Sequence, residues 1–162
     1  MQRIGVLFVC LGNICRSPSA QAVFEERIAR AGLAGRFHAD SCGTAAFNVG
    51  KPPDPRAVAV AERRGYRIAH QRARQIEDAD FARFQYIVAM DHANLRTVQG
   101  WAPPGFDGEI RLLMHFARSA SAPEVADPFY GTSQAFEAAL DAIERGVAGL
   151  LEQLRARHAA DD

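Results

Sequence analysis

The sequence lacks the features that mark several large classes of protein. It carries no excess charge of either sign, because 19 Lys and Arg residues balance 19 Asp and Glu residues, so nothing favours a nucleic acid or a membrane surface as partner. It has no apolar run of about 18 residues, the length of a transmembrane helix, and no signal-peptide pattern at its start. Its three cysteines are too few for a disulfide scaffold. These absences predict a cytoplasmic protein with reduced thiols.

Length and composition predict one domain with a core of its own. The chain has 162 residues, of which 48% are apolar and 23% charged, and a domain typically contains about 150 residues. Such a chain buries roughly 70% of its unfolded surface, so it needs neither a metal nor a disulfide to fold. We expect a single domain over residues 1–158, followed by a frayed tail over residues 159–162.

Short apolar runs alternate with amphipathic stretches along the whole chain. Strands are expected at residues 4–9, 37–42, 86–90 and 110–114, with helices opening at Ser17, capped by Asp54 and by Asp91, and spanning 133–158. Pro- and Gly-rich segments at 100–108 and 119–132 are typical of loops. This alternation predicts an α/β fold, with a parallel sheet between helices on both faces. Ligands of such folds bind where the strands end at their carboxyl termini.

The loop after the first strand has the features of an anion-binding site. Cys10 directly follows the strand, and Arg16 comes where the next helix begins. A short loop of this kind can aim its backbone N–H groups at a tetrahedral anion, to which the helix adds the positive end of its dipole. We expect Gly12 to supply a positive φ without steric cost, and Asn13 tolerates one better than most residues. The planar fork of Arg16 can bind two phosphate oxygens.

The same electrostatic field predicts a reactive sulfur. Thiols beside a helix N-terminus and an arginine ionise far more easily than free cysteine does, so we expect Cys10 to be a thiolate at neutral pH. A thiolate at the base of a phosphate cradle is a nucleophile directed at phosphorus. Ser17 could donate a hydrogen bond to it and ease its later departure.

Three other interpretations of this loop remain open. Cys10 could be a small core residue, as most isolated cysteines are. The loop could bind a nucleotide, although no lysine stands where the Walker pattern requires one. Cys10 and Cys15 could ligate zinc, although no second Cys or His pair of suitable spacing follows.

Several motifs in order along the chain carry a resemblance to a known family. They are the segments 9–18 (VCLGNICRSP), 48–50 (NVG), 54–57 (DPRA), 70–74 (HQRAR), 90–95 (MDHANL) and 127–131 (DPFYG). Together they resemble the low-molecular-weight protein tyrosine phosphatases. Abundant Ala and Arg, with three Met residues, suggest a bacterial member. The Cys-x5-Arg-Ser element alone is shared with other phosphatase folds, and the downstream Asp-Pro-aromatic element makes the match specific.

The resemblance implies a three-layer α/β/α fold with a four-stranded parallel sheet and the phosphate-binding loop after strand 1. It implies a metal-independent reaction without a cofactor, in which Cys10 is the nucleophile, Arg16 binds phosphate and stabilises the transition state, and Asp127 is the general acid and base. The rest of the phosphate loop would be Leu11, Gly12, Asn13, Ile14, Cys15 and Ser17. Asp-Pro alone is more often a turn, so the role of Asp127 depends on the whole DPFYG element.

The resemblance also implies residues that line the pocket and brace the loop. Phe47, Phe129 and Tyr130 would form aromatic walls around a phenyl ring, although each could instead be a core residue beneath a long loop. Asn13, Ser41 and His70 match positions whose side chains brace the phosphate loop by hydrogen bonds. Cys15 matches a cysteine that forms a reversible disulfide with the nucleophile, although in a reducing cell it would remain a thiol.

The expected partner is a tyrosine-phosphorylated protein, either a bacterial tyrosine kinase of polysaccharide export or a host protein. Inorganic phosphate or another oxyanion would also occupy the loop, and the chain would be a monomer or a weak dimer. Two other enzymes of this fold remain open. A protein-arginine phosphatase carries Thr where this chain has Ile14, and an arsenate reductase needs cysteines well downstream, whereas none follows Cys42. A non-catalytic phosphate-binding or redox-sensing module is the third possibility.

Overall fold

The computed structural model describes residues 2–118 and 122–159. Four strands alternate with helices in chain order: β1 (Ile4–Cys10), α1 (Arg16–Arg30), β2 (Phe37–Gly43), α2 (Pro55–Arg63), α3 (Asp80–Arg83), β3 (Tyr86–Ala89), α4 (His92–Trp101), β4 (Glu109–Leu112) and α5 (Ser133–His158). A short 3-10 turn, Leu113–His115, follows β4. No helix in the described part of the chain is both long and apolar enough to cross a membrane.

The four strands form one parallel sheet in the order β2-β1-β3-β4. The central strand β1 is apolar on both faces, because Val6 and Phe8 face the core that α1 and α5 cover, whereas Leu7 and Val9 face a second core that includes Val98 of α4. A strand buried on both faces needs helices on both sides. The predicted three-layer α/β/α fold with four parallel strands is therefore confirmed.

Two helices begin at the caps that the sequence predicts. Asp54 Oδ1 accepts a hydrogen bond from the backbone N–H of Arg56 at 2.8 Å, with Pro55 in the first turn of α2. Asp91 Oδ1 accepts one from the N–H of Asn94 at 2.8 Å at the start of α4. Such caps satisfy N–H groups that the first turn of a helix leaves free.

Some boundaries differ from the predicted ones. β4 ends at Leu112 because Leu113 turns inward and packs against α5, where a Cβ on Gly146 would meet the Leu113 side chain at 2.5 Å. Helix α4 runs to Trp101, two residues into the predicted loop. Helix α3 has no counterpart among the predicted elements. Ala159 caps the end of α5, whereas residues 160–162 of the predicted tail and 119–121 of the predicted loop lie outside the described residues.

Candidate active site

The loop from Cys10 to Arg16 turns its carbonyl groups outward. Four of them accept hydrogen bonds from the surrounding chain: Cys10 O from Thr44 N at 2.9 Å, Leu11 O from Ala45 N at 3.0 Å, Gly12 O from Asn48 Nδ2 at 3.2 Å and Ile14 O from Asp54 N at 2.8 Å. In a trans peptide the N–H of the next residue points away from the carbonyl. The loop amides are therefore directed inward, and one of them, Asn13 N–H, donates to Cys10 Sγ at 3.3 Å. This arrangement is a cradle for an anion.

The loop's positive φ lies at Asn13, not at Gly12. Asn13 has φ of 57°, and Gly12 is not among the described residues with positive φ. The expectation for Gly12 was therefore wrong. Gly12 is instead closely packed, since a Cβ there would lie 2.6 Å from Asn48 Nδ2 and would displace the side chain that donates to Gly12 O.

A chain of hydrogen bonds leads from the sulfur of Cys10 into the protein. Ser17 Oγ lies 3.0 Å from Cys10 Sγ and accepts from Asn13 Nδ2 at 2.8 Å. Asn13 Nδ2 also donates to Ser41 Oγ at 3.0 Å, and Asn13 Oδ1 accepts from the N–H of Arg74 at 3.0 Å. Since Ser17 Oγ already accepts, its own hydrogen can point to the sulfur or to Cys42 O, 3.3 Å away. The predicted bracing positions of Asn13 and Ser41 fit this geometry.

His70 does not brace the phosphate loop, contrary to the prediction. Its side chain is exposed and lies near Glu25, whose pKa burial raises and His70 acts to lower. The neighbouring Gln71 takes the bracing position, because its Oε1 accepts from Ser41 Oγ at 3.4 Å and its Nε2 donates to Pro18 O at 3.1 Å. Residues 70–74 form no helix or strand, so no periodicity in the sequence could indicate which of the two side chains turns inward.

Arg16 is buried at the side of the cradle and held there by two acceptors. Its Nη1 donates to Asp91 Oδ2 and to Val125 O, each at 2.8 Å. Burial acts to lower the pKa of Arg16, but Cys10, Asp91 and Asp127 outweigh it and raise that pKa above its ordinary value. The guanidinium therefore keeps its charge. Sequence reasoning found Asp91 only as a helix cap and missed this contact.

Asp127 lies across the pocket from the loop, on the segment that leads into α5. Its Oδ2 lies 3.5 Å from Arg16 Nη2, and its side chain is 42% exposed. Its Oδ1 accepts a hydrogen bond from the N–H of Phe129 at 3.1 Å, whereas Pro128 between them is buried. The fold thus brings a carboxylate from a distant part of the chain to the phosphate cradle.

One pocket of about 240 Å³ contains the sulfur, the guanidinium and the carboxylate. Its outer wall is aromatic and includes Phe47, Phe129 and Tyr130. Phe47 is 65% exposed and Tyr130 is 96% exposed, so neither is a core residue. The rings of Phe129 and Tyr130 meet edge to face, with their centroids 4.9 Å apart. A pocket with a charged floor and apolar walls suits a phosphate ester of an aromatic alcohol.

The three cysteines form no disulfide, and all are buried. Burial, with Asp54 and Cys10 adding to it, raises the pKa of Cys15 to about 12. Burial likewise raises the pKa of Cys42 well above its ordinary value. Among residues 2–118 and 122–159, no three His, Cys, Asp or Glu side chains are grouped in a way that could hold a metal ion.

Comparisons with known proteins agree with this geometry. The family model described as low molecular weight phosphotyrosine protein phosphatase matches residues 5–160. The phosphatase of that name from Schizosaccharomyces pombe is 46% identical over 136 residues, 83% of this chain and 86% of its own. A low molecular weight protein-tyrosine-phosphatase from Streptomyces coelicolor is 41% identical over 153 residues, 93% of each chain. The crystal structure of a protein tyrosine phosphatase from Entamoeba histolytica, with Hepes in its active site, is similar with a TM-score of 0.91 and 34% identity, over 94% of this chain and 97% of that one.

Proposed function

The chain belongs to the low molecular weight phosphotyrosine protein phosphatase family, and we propose that Cys10, Arg16 and Asp127 carry out its hydrolysis of phosphotyrosine without a metal ion. The observation that carries this proposal is the meeting of the three groups in one aromatic-walled pocket. Each group has one role, which follows from its position and chemistry.

The first step transfers the phosphoryl group to sulfur. The Cys10 thiolate attacks phosphorus, the bond from phosphorus to the phenolic oxygen breaks, and Asp127 gives its proton to that oxygen. The inward amides and the Arg16 fork bind the three transferring oxygens, where charge must be stabilised in the transition state. The products are a neutral phenol and a cysteinyl-phosphate.

The second step hydrolyses the cysteinyl-phosphate. Asp127, now a carboxylate, accepts a proton from a water molecule whose oxygen attacks phosphorus, and the bond between sulfur and phosphorus breaks. Cys10 leaves as a thiolate. Ser17 Oγ, 3.0 Å from that sulfur, stabilises the departing charge by donating a hydrogen bond. Inorganic phosphate remains in the loop until it dissociates.

The pocket walls favour an aryl phosphate over a phosphoarginine. Phe47 and Phe129 can contact a phenyl ring on its faces, and Ile14, half-buried in the pocket lining, offers an apolar contact and no hydroxyl. We therefore propose phosphotyrosine as the preferred substrate, and phosphoarginine and arsenate as poor ones. One preparation assayed on all three substrates distinguishes these activities.

The substrate is a phosphotyrosine protein, and we propose a bacterial tyrosine kinase of polysaccharide export or a host protein as its source. We also propose that residues 1–158 form the single phosphatase domain. The protein would come from a bacterium, work in the cytoplasm and be a monomer or a weak dimer.

Inorganic phosphate or another oxyanion would bind in the phosphate loop as a product or inhibitor. Cys15 would protect Cys10 from further oxidation through a reversible disulfide.

Substitution of the nucleophile tests the mechanism. Cys10→Ser is expected to abolish turnover of p-nitrophenyl phosphate while phosphate still binds, and the wild-type protein is expected to give a phosphorylated Cys10 peptide when quenched in acid during turnover. A chelator should have no effect. Full activity of Cys10→Ser, or loss of activity with the chelator, would show that the mechanism is wrong.

A further inference from the structure

Arg56 lies between the phosphate loop and the segment that carries Asp127. At its inner side the guanidinium forms two hydrogen bonds with Asp54, from Nε to Oδ1 at 3.0 Å and from Nη2 to Oδ2 at 2.8 Å. Asp54 is almost fully buried, and its backbone N–H donates to Ile14 O of the phosphate loop at 2.8 Å. The position of the guanidinium is therefore fixed relative to the loop that holds the phosphate.

The outer side of the same guanidinium contacts two aromatic rings. Its Cζ lies 4.7 Å from the ring centroid of Phe136, which is buried in α5, and 5.4 Å from that of Phe129. Arginine over an aromatic ring at this distance is held by a cation–π attraction. Phe129 is 37% exposed, so much of its surface is not held by packing. The contact with Arg56 therefore restrains the position of its ring.

Phe129 is coupled directly to the carboxylate of Asp127. The N–H of Phe129 donates to Asp127 Oδ1 at 3.1 Å, so a shift of Phe129 moves the carboxylate relative to the cradle. The contacts thus run from Ile14 through Asp54 and Arg56 to Phe129 and Asp127. From them we propose that Arg56 is a positioning residue for proton transfer by Asp127, and this inference rests on the proposed role of Asp127 as the general acid.

The chemistry of the arginine side chain suits this role. Its planar fork can bind a carboxylate through two hydrogen bonds while its face stays free to lie over a ring, and an ammonium group cannot do both. Arg56 itself does not line the pocket that contains Cys10, so it acts through Phe129 and not on the substrate.

Substrates with different leaving groups distinguish positioning of the acid from a general structural effect. Phenolate needs a proton from Asp127 to leave, whereas p-nitrophenolate leaves without one. Arg56→Met keeps the apolar stem and removes the charge. It is expected to lower kcat/KM on phenyl phosphate about five-fold, the factor that corresponds to the upper end of the energy of an exposed cation–π contact. The kcat/KM on p-nitrophenyl phosphate should be nearly unchanged. Arg56→Lys should restore part of the loss.

A matched control and a double variant complete the experiment. Arg63→Met removes another exposed arginine of α2, one whose Nη2 lies 3.0 Å from Glu137 Oε2, and it should affect neither substrate. In an Asp127→Asn background, Arg56→Met should produce no further loss on phenyl phosphate, because the group that Arg56 positions is already absent.

The kinetic results can overturn the role of Arg56 alone or the roles of Arg56 and Asp127 together. Equal slowing on both substrates, no slowing at all, or an undiminished effect of Arg56→Met in the Asp127→Asn background would overturn the role of Arg56. Asp127→Asn alone serves as the reference for the proposed function. If it distinguishes the two leaving groups and Arg56→Met does not, only the inference about Arg56 fails. If Asp127→Asn does not distinguish them, the acid role fails, and the inference fails with it.

Discussion

Asp91 Oδ2 lies 2.8 Å from Arg16 Nη1, and the other oxygen of the same carboxylate caps helix α4. One side chain therefore fixes both the start of a helix and the direction of the guanidinium in the phosphate cradle. The pair is largely buried, since the Arg16 side chain is 3% exposed and that of Asp91 is 22% exposed.

Asp91→Asn is expected to separate these two roles. Asparagine also caps helices well, so the melting temperature should change little, whereas the neutral amide holds Arg16 less firmly. Misplacement of such a group by about 1 Å can cost about 100-fold in rate, and we expect kcat/KM to fall about 10- to 100-fold on p-nitrophenyl phosphate. Unchanged kinetics in a folded variant would mean that the loop alone orients Arg16.

Asp127→Asn is expected to slow poor leaving groups far more than good ones. General acid catalysis contributes about 10²–10⁴-fold, and the full factor applies only when the leaving oxygen needs a proton. The measurement is kcat/KM across a series of substituted phenyl phosphates, in which the dependence on the pKa of the leaving phenol should steepen. A uniform loss across the series would count against the acid role.

The thiols should differ sharply in their reaction with iodoacetamide. A pKa of about 12 for Cys15 leaves on the order of 10⁻⁵ of it ionised at pH 7, and Cys42 is raised in the same direction. Peptide mapping by mass spectrometry should therefore find alkylation at Cys10, which vanadate prevents. In Cys10→Ser the other two thiols should stay unlabelled over the same period. Faster labelling of Cys15 would contradict this assignment.

Stability should fall in alkaline solution because of the buried thiols. The unfolded chain releases the Cys15 proton near its ordinary value of 9.0, whereas the folded chain holds it until about 12. Between these values the free energy of unfolding falls as pH rises, by up to about 1.4 kcal/mol per pH unit for this thiol. Urea unfolding at pH 8 and pH 10 measures the fall, which should be smaller in Cys15→Ser. An equal fall in both proteins would show that the Cys15 thiol does not cause the loss of stability.

Gly43→Ala should disturb the phosphate loop, because Gly43 packs against the backbone of that loop. A Cβ at Gly43 would lie 2.6 Å from Leu11 O and 3.2 Å from Asn13 N, and backbone atoms cannot move aside as a side chain can. Such crowding costs about 1–3 kcal/mol, and we expect lower stability together with a higher inhibition constant for inorganic phosphate. Gly35→Ala is the control, since nothing lies within 4 Å of its Cβ position. Normal phosphate binding by Gly43→Ala would show that the loop tolerates the added group.

Local patterns predicted most of the fold. The apolar run of β1, the caps at Asp54 and Asp91 and the helical spacing over Ser133–His158 agree with the structure, because helices and caps depend on residues close together in the chain. The same patterns missed α3, whose four residues are too few for a helical repeat. They also placed the end of β4 too late, because the inward turn of Leu113 depends on its packing against Gly146 of α5.

The sequence by itself determined which chemical groups form the floor of the site, since Cys10 and Arg16 stand at the two ends of one short loop after a buried strand. Only the tertiary structure decided which distant side chains support them. It selected Gln71 over His70, gave Asp91 a second contact, and placed Arg56 against Phe129. These contacts join segments far apart in the chain, and such pairs are fixed by the packing of loops and helix ends, for which the sequence has no periodic signal.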